Sequence, residues 1–187
     1  MELKGERLIP APIEEVWAGL NDPEILKACI AGCESLERNG DDAFAALVAV
    51  RVGPVSAKFK GNLKMSDVKP PTSYTLHFDG QGGVAGFGKG SADVQLTPEA
   101  GATRLGYLAR AQVGGKMAQV GSRLIDAAAA KITEDFFAAF EAQVAPPPAE
   151  VAAAEAEAAP AAGSGKLMLW VVAAALLLAA AVWWLKR

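Results

Sequence analysis

Four groups of residues have types and spacings that could do chemistry. In the segment Gly80 to Gly90, GQGGVAGFGKG, the residues Gly83, Gly88 and Lys89 match the G-x-x-x-x-G-K spacing of a loop that cradles phosphates. That chemistry also needs a Ser or Thr for the magnesium ion and a following helix, whereas Gly90 comes next and a strand pattern follows, so nucleotide binding is excluded. Cys29 and Cys33, in Cys-Ile-Ala-Gly-Cys, are one residue too far apart for a C-x-x-C pair. The only histidine, His77, falls on the polar face of a strand, which leaves too few soft ligands for zinc and a packing or reactive-thiol role for the cysteines. His77 has no second histidine and no nucleophile beside it. Asp41 and Asp42 follow Asn39-Gly40 and read as a hairpin turn. Tyr74 and Tyr107 remain: both fall on inward faces, where a phenol can hydrogen-bond a carbonyl or hydroxyl of a ligand. No catalytic constellation results, and the expectation is a protein that is not an enzyme.

The elements that must position these residues are legible from periodicity. A short strand over Leu3 to Ile9 leads through Pro10-Ala-Pro12 into a helix from Ile13 to Leu20, with Pro12 as its first residue. Asn21-Asp22-Pro23 ends that helix and starts another through Ile30, with Asp22 as N-cap. From Val55 to Met65 the odd positions Val55, Ala57, Phe59, Leu63 and Met65 are apolar, and the even positions are Ser, Lys or Asn. Tyr74, Leu76 and Phe78 alternate with polar residues in the same way, as do Leu105, Tyr107, Ala109, Ala111 and Val113. Gly53-Pro54 and Lys69-Pro70-Pro71 supply turns, so the set reads as an antiparallel meander with one covered face. Val84, Gly86, Gly88, Gly90, Ala92, Val94 and Leu96 share one alternating face, where small residues leave volume beneath a cover or permit sharp curvature. Phe87 then points to the polar side and marks a bulge or a small contact surface. The cover is a long helix from Gly115 to Val144, with Met117, Val120, Leu124, Ala128, Ile132, Phe136 and Phe140 as its apolar stripe.

The 187 residues carry a formal net charge of -3, and the pI is near 5.3. That balance speaks against a nucleic-acid partner, which calls for a basic stripe. Residues 145–165 are rich in Pro and Ala and read as a flexible linker. Leu167 to Leu185 then runs without charge, Pro, Gly or amide, bracketed by Lys166 and by Lys186-Arg187, with Trp170, Trp183 and Trp184 near its ends. About 20 such residues match a bilayer core of about 30 Å, so residues 166–187 are expected to form a single transmembrane anchor rather than a buried core helix. Met1 to Glu6 has no basic region followed by an apolar one, so the folded domain, residues 1–144, is expected in the cytoplasm at the inner face of the cytoplasmic membrane.

One further reading rests on whole motifs. Ala-Pro-x-x-x-Val-Trp (Ala11 to Trp17), Asp-Pro-Glu-x-Leu (Asp22 to Leu26), Cys-Ile-Ala-Gly-Cys-Glu (Cys29 to Glu34), Val-Gly-Pro-Val (Val52 to Val55), Lys-Phe-Lys-Gly (Lys58 to Gly61) and the run Gly114 to Ile125 together resemble the CoxG family of carbon monoxide dehydrogenase subunits. Ala31 stands where that family usually has Pro. The resemblance implies an α+β helix-grip fold of the START-like (SRPBCC) superfamily: an antiparallel sheet wrapped on a long C-terminal helix around an apolar cavity. On such a fold the ligand-binding residues expected by position are Phe59, Leu63, Leu76, Phe78, Tyr107, Met117, Val120, Leu124, Ile125 and Ala128. The resemblance also implies association with molybdenum-containing CO dehydrogenase or a related molybdenum hydroxylase. The function expected is a membrane-tethered adaptor, without covalent cofactor, that binds a lipophilic small molecule such as menaquinone or ubiquinone. The alternatives are an assembly or maturation factor that holds the enzyme through surface contacts, and a START-like enzyme acting on a hydrophobic substrate.

Overall fold

The computed structural model describes residues 1–145. The expected linker and transmembrane anchor, residues 146–187, lie outside the described residues. Among the described residues no helix is long and apolar enough to cross a membrane.

The chain forms β1 (Glu2–Ile9), α1 (Ile13–Leu20), α2 (Pro23–Cys29), β2 (Cys33–Arg38), β3 (Ala43–Val52), β4 (Val55–Lys69), β5 (Ser73–Gln81), β6 (Phe87–Glu99), β7 (Ala102–Gly114) and α3 (Ser122–Val144). Short 3-10 turns occupy Gly83–Ala85 and Gly115–Val120. The seven strands make one antiparallel sheet in the order β1-β7-β6-β5-β4-β3-β2, so a meander from β2 to β7 is closed at one edge by β1. Adjacent strands in the meander need only short connections, which is why local turn chemistry suffices to build it. Between Glu99 and Ala102 the hairpin turns on two residues, Ala100 and Gly101, both at positive φ, the geometry that matches the twist of the flanking strands. The Gly53-Pro54 turn between Val52 and Val55 is the one expected, with Gly53 at φ 55°.

β4 alternates along most of its length between half-buried or buried and exposed residues, as its sequence predicts. α1 and α2 insert between β1 and β2. Pro12 precedes α1 as its cap residue rather than starting it, its ψ of 153° being extended. Asp22 caps α2, its carboxylate accepting from the backbone N–H of Glu24 at 2.8 Å and of Ile25 at 3.4 Å. The fully buried Thr103 ties the start of this helical insertion to β7, its hydroxyl donating to the carbonyl of Ala11 at 2.8 Å.

Three expectations are corrected. The cover is not one helix from Gly115: a 3-10 turn ends at Gly121, whose φ of 95° breaks the right-handed path, and α3 begins at Ser122. Its apolar stripe is also not buried evenly. Phe140 is fully buried and Phe137 and Val144 nearly so, whereas Leu124 and Ile132 are 48% and 43% exposed. The cause is local packing: α1 and α2 press on the C-terminal half of α3, where a Cβ built on Gly19 of α1 would stand only 2.7 Å from Val144. The glycine-rich face is likewise shorter than its alternation suggests. Val84 and Gly86 leave the strand for a 3-10 turn, where Val84 is 85% exposed, and the inward row of β6 starts at Gly88.

Candidate functional site

The concave face of the sheet, α3 and the α1–α2 insertion enclose an apolar cavity of about 290 Å³. β1 and β7 contribute Leu3, Leu105, Tyr107 and Ala109, β4 to β6 contribute Leu63, Met65, Tyr74 and Leu76 with Ala92 and Val94, and the helices contribute Leu20, Leu26, Thr133, Phe136 and Phe137. Three hydroxyls, on Tyr74, Tyr107 and Thr133, are the polar side-chain groups of this lining, which contains no carboxylate, amine, imidazole or thiol. A mostly apolar chamber with a few placed polar groups is the usual form of a small-molecule site.

The two phenols are held differently. Tyr74 is buried and meets Trp17 of α1 edge-on, with ring centroids 5.7 Å apart. Burial pushes its hydroxyl well above the ordinary tyrosine range, so it stays protonated and can donate a hydrogen bond throughout the physiological pH range. Tyr107 lies tilted on Phe137, with centroids 5.4 Å apart, and its hydroxyl reaches over Gly5 of the edge strand. A Cβ on Gly5 would stand 2.6 Å from that oxygen, so the glycine makes room for the phenol. Beside them Arg7, on the inward face of β1, pairs with Glu134 of α3 and sets its guanidinium 5.8 Å from the centre of Phe137. This contact joins the edge strand to the helix along the cavity wall.

A second apolar chamber, of about 190 Å³, lies toward the N-terminal end of α3. Val50, Val52, Phe59, Phe87, Gly88 and Val113 line it from the sheet, and Met117, Ile125, Ala128, Ala129 and Ile132 line it from the helical side. A wider, more open depression is lined by Lys4, Glu6, Asp67, Lys69 and Asp93 together with Gly5, Tyr74, Val94 and Tyr107, so the two tyrosines border both it and the larger chamber.

The ten residues expected to bind a ligand are thus divided. Leu63, Leu76 and Tyr107 line the larger chamber, and Phe59, Met117, Ile125 and Ala128 line the smaller one. Phe78 borders neither, its ring lying across Gly90. Val120 is half-buried in the 3-10 turn, and Leu124 reaches past the Gly53 turn into solvent. Several glycines of this region are covered by aromatic rings: Phe59 lies against Gly82, Phe78 against Gly90 and Phe87 against Gly114, whereas Gly88 of β6 faces open space. Residues that the sequence pattern did not single out as binding are Leu20, Leu26 and Ile30 of the helical insertion and Thr133 and Phe137 of α3. Arg7 could have been found, since a charge at an inward position of an alternating strand stands out from its neighbours.

Cys29 is buried and Cys33 partly so, and burial pushes both thiols up, with Lys27 acting in the opposite direction on Cys33. Of the two roles open to them, packing fits Cys29, which belongs to the core. Among the described residues no cluster of three potential metal ligands occurs.

The profile of the family of carbon monoxide dehydrogenase subunits described as CoxG matches residues 5–145. No curated protein matches the chain. Among solved structures, a conserved protein from Geobacillus kaustophilus is 36% identical, with a TM-score of 0.73, over 78% of this chain and 95% of that one. A protein from Thermus thermophilus is 20% identical, with a TM-score of 0.59, over 77% and 97% of the two chains. The Zhui aromatase/cyclase from a Streptomyces species shares the fold at 12% identity and a TM-score of 0.58, over 77% and 93%. With the profile covering residues 5–145 and the helix-grip architecture bearing out what the motifs imply, this chain belongs to the CoxG family of carbon monoxide dehydrogenase subunits.

Proposed function

We propose that the protein is a non-enzymatic adaptor that holds a respiratory quinone, such as menaquinone or ubiquinone, and couples a molybdenum-containing CO dehydrogenase to the respiratory membrane. The observation that carries the reading is the larger chamber: an apolar space whose polar points are hydroxyls, in a domain of this family. A quinone ring needs hydrogen-bond donors at its carbonyl oxygens and hydrocarbon elsewhere. The protonated Tyr74 is such a donor, and Tyr107 and Thr133 stand on the same wall system. Burial of the ring and of the prenyl carbons supplies the affinity, at about 25 cal/mol for each Å² removed from water. The lining offers no general acid–base pair, which supports binding over catalysis.

The apolar segment Leu167 to Leu185 supports the membrane part of the reading, because a tether confines the domain near a lipid-soluble carrier and raises its effective concentration there. The enzyme partner follows from the family description. Native mass spectrometry of the full chain extracted from its own membranes in mild detergent is the test. A bound species with the mass of a quinone is expected, and recovery of the protein without any lipophilic molecule removes the reading's main support.

A further inference from the structure

The two apolar chambers share the concave face of the sheet, and the strand register places a single row of residues between them. In that row Leu63 of β4, which also borders the larger chamber, faces Phe78 of β5, Phe78 faces Gly90 of β6, and Gly90 faces Ala111 of β7. The next row on one side, with Leu76, Ala92 and Ala109, lines the larger chamber. On the other side, Gly88 and Val113 line the smaller one. On the helix, Thr133 faces the larger chamber and its neighbour Ile132 the smaller, so the two meet within one helical step. From β4 to β7 this row holds one ring, Phe78; the ring that continues it on β3, Phe44 opposite Leu63, lines the larger chamber. The Cζ of Phe78 would stand 2.7 Å from a Cβ on Gly90, so the tip of the ring occupies the space that the missing side chain leaves.

We infer that the two chambers are one ligand channel with Phe78 as its partition, and that the smaller chamber takes the hydrocarbon tail of a ligand whose ring occupies the larger. This rests on the quinone reading and adds where each part of the molecule goes. The larger chamber, at about 290 Å³, is at the lower end of the roughly 300–1,000 Å³ typical of ligand sites and accommodates a ring better than a ring with several prenyl units. The hydroxyl-bearing residues line that chamber, whereas every side chain lining the smaller one is apolar. The smaller chamber also reaches the surface, since Phe87 and Ile132, which line it, are 37% and 43% exposed. Hydroxyls inside, hydrocarbon next and an exit last match an amphiphile bound ring first, with its tail leading out.

The test compares menadione, a naphthoquinone ring without a tail, with menaquinone-4, by titration calorimetry of the full chain at one fixed detergent concentration. The wild type is expected to bind menaquinone-4 at least about tenfold more tightly than menadione. Gly88→Leu fills the smaller chamber at a position where an added Cβ meets nothing within 4 Å. It should lower menaquinone-4 affinity to that of menadione and leave menadione binding unchanged. Ala128→Leu, filling the same space from the helix, should do the same, and thermal melting by circular dichroism verifies that each variant is folded. Phe78→Ala should keep the advantage of the tail. The channel is overturned if Gly88→Leu and Ala128→Leu keep the full tail advantage while menadione still binds, or if Phe78→Ala removes it. A wild type that binds neither compound overturns the quinone reading and this inference together.

Discussion

Tyr74 shows how one burial event fixes both the chemistry and the pH response of a side chain. Packed on Trp17 and removed from water, it holds its proton in the folded state far more strongly than in the unfolded chain. The unfolded phenol gives up its proton near pH 10, so folding stability is intact below that pH and falls as the pH rises above it. In a Tyr107→Phe background, which leaves one tyrosine, phenolate absorbance at alkaline pH should therefore rise together with loss of the circular dichroism signal. A phenolate signal that precedes unfolding would contradict the burial argument. Tyr74→Phe should weaken binding of a tail-free naphthoquinone by about 1 kcal/mol, the net contribution of one hydrogen bond, readable by calorimetry. Thr103→Val removes the bond from β7 to Ala11 and leaves a buried carbonyl with one partner fewer, which should cost about 1–3 kcal/mol in denaturant unfolding.

The elements differ in how much each contributes to the core, and α3 contains the contrast within itself. Phe140 is fully buried, stacks on Phe136 with centroids 5.8 Å apart and lies beneath Gly19 of α1. Phe140→Ala should destabilise the domain by about 3–5 kcal/mol. Leu124, sixteen residues earlier on the same nominal stripe, is half in solvent. Leu124→Ser should change the unfolding midpoint little, within about 0.5 kcal/mol. Equal effects at the two positions would mean that the N-terminal half of α3 packs as tightly as the C-terminal half. Helical periodicity assigned the face correctly and could not grade it, because the grading comes from α1 and α2, whose position against α3 is a long-range contact. The strands were easier to read: alternation in β4, β5 and β7 depends on one residue's neighbours and on which face is covered, both visible in a dozen residues.

For the whole molecule, the family and the fold agree, and the proposed role joins the folded domain to the segment beyond residue 145. A chain ending at residue 165 should still bind a detergent-solubilised quinone, and cell fractionation should find it released from the membrane. Persistence in the membrane fraction would show that Leu167 to Leu185 is not the tether. The glycine-rich segment illustrates how the sequence was partly legible. Its composition signalled open volume or curvature, yet whether a glycine leaves a void depends on what its neighbours across the sheet do with their rings. Phe59, Phe78 and Phe87 occupy that space at Gly82, Gly90 and Gly114, and Gly88 alone stays open to the smaller chamber.

By itself, then, the sequence determined the meander, the helical insertion, the inward tyrosines and the family, because each rests on local periodicity, turn chemistry or a contiguous motif. It also identified seven of the ten expected residues as facing apolar space. Tertiary structure alone decided that the space is divided, which residues belong to each chamber and that Phe78 stands between them. Those features depend on register across four strands and on where α3 crosses the sheet, and such contacts join residues far apart in the chain.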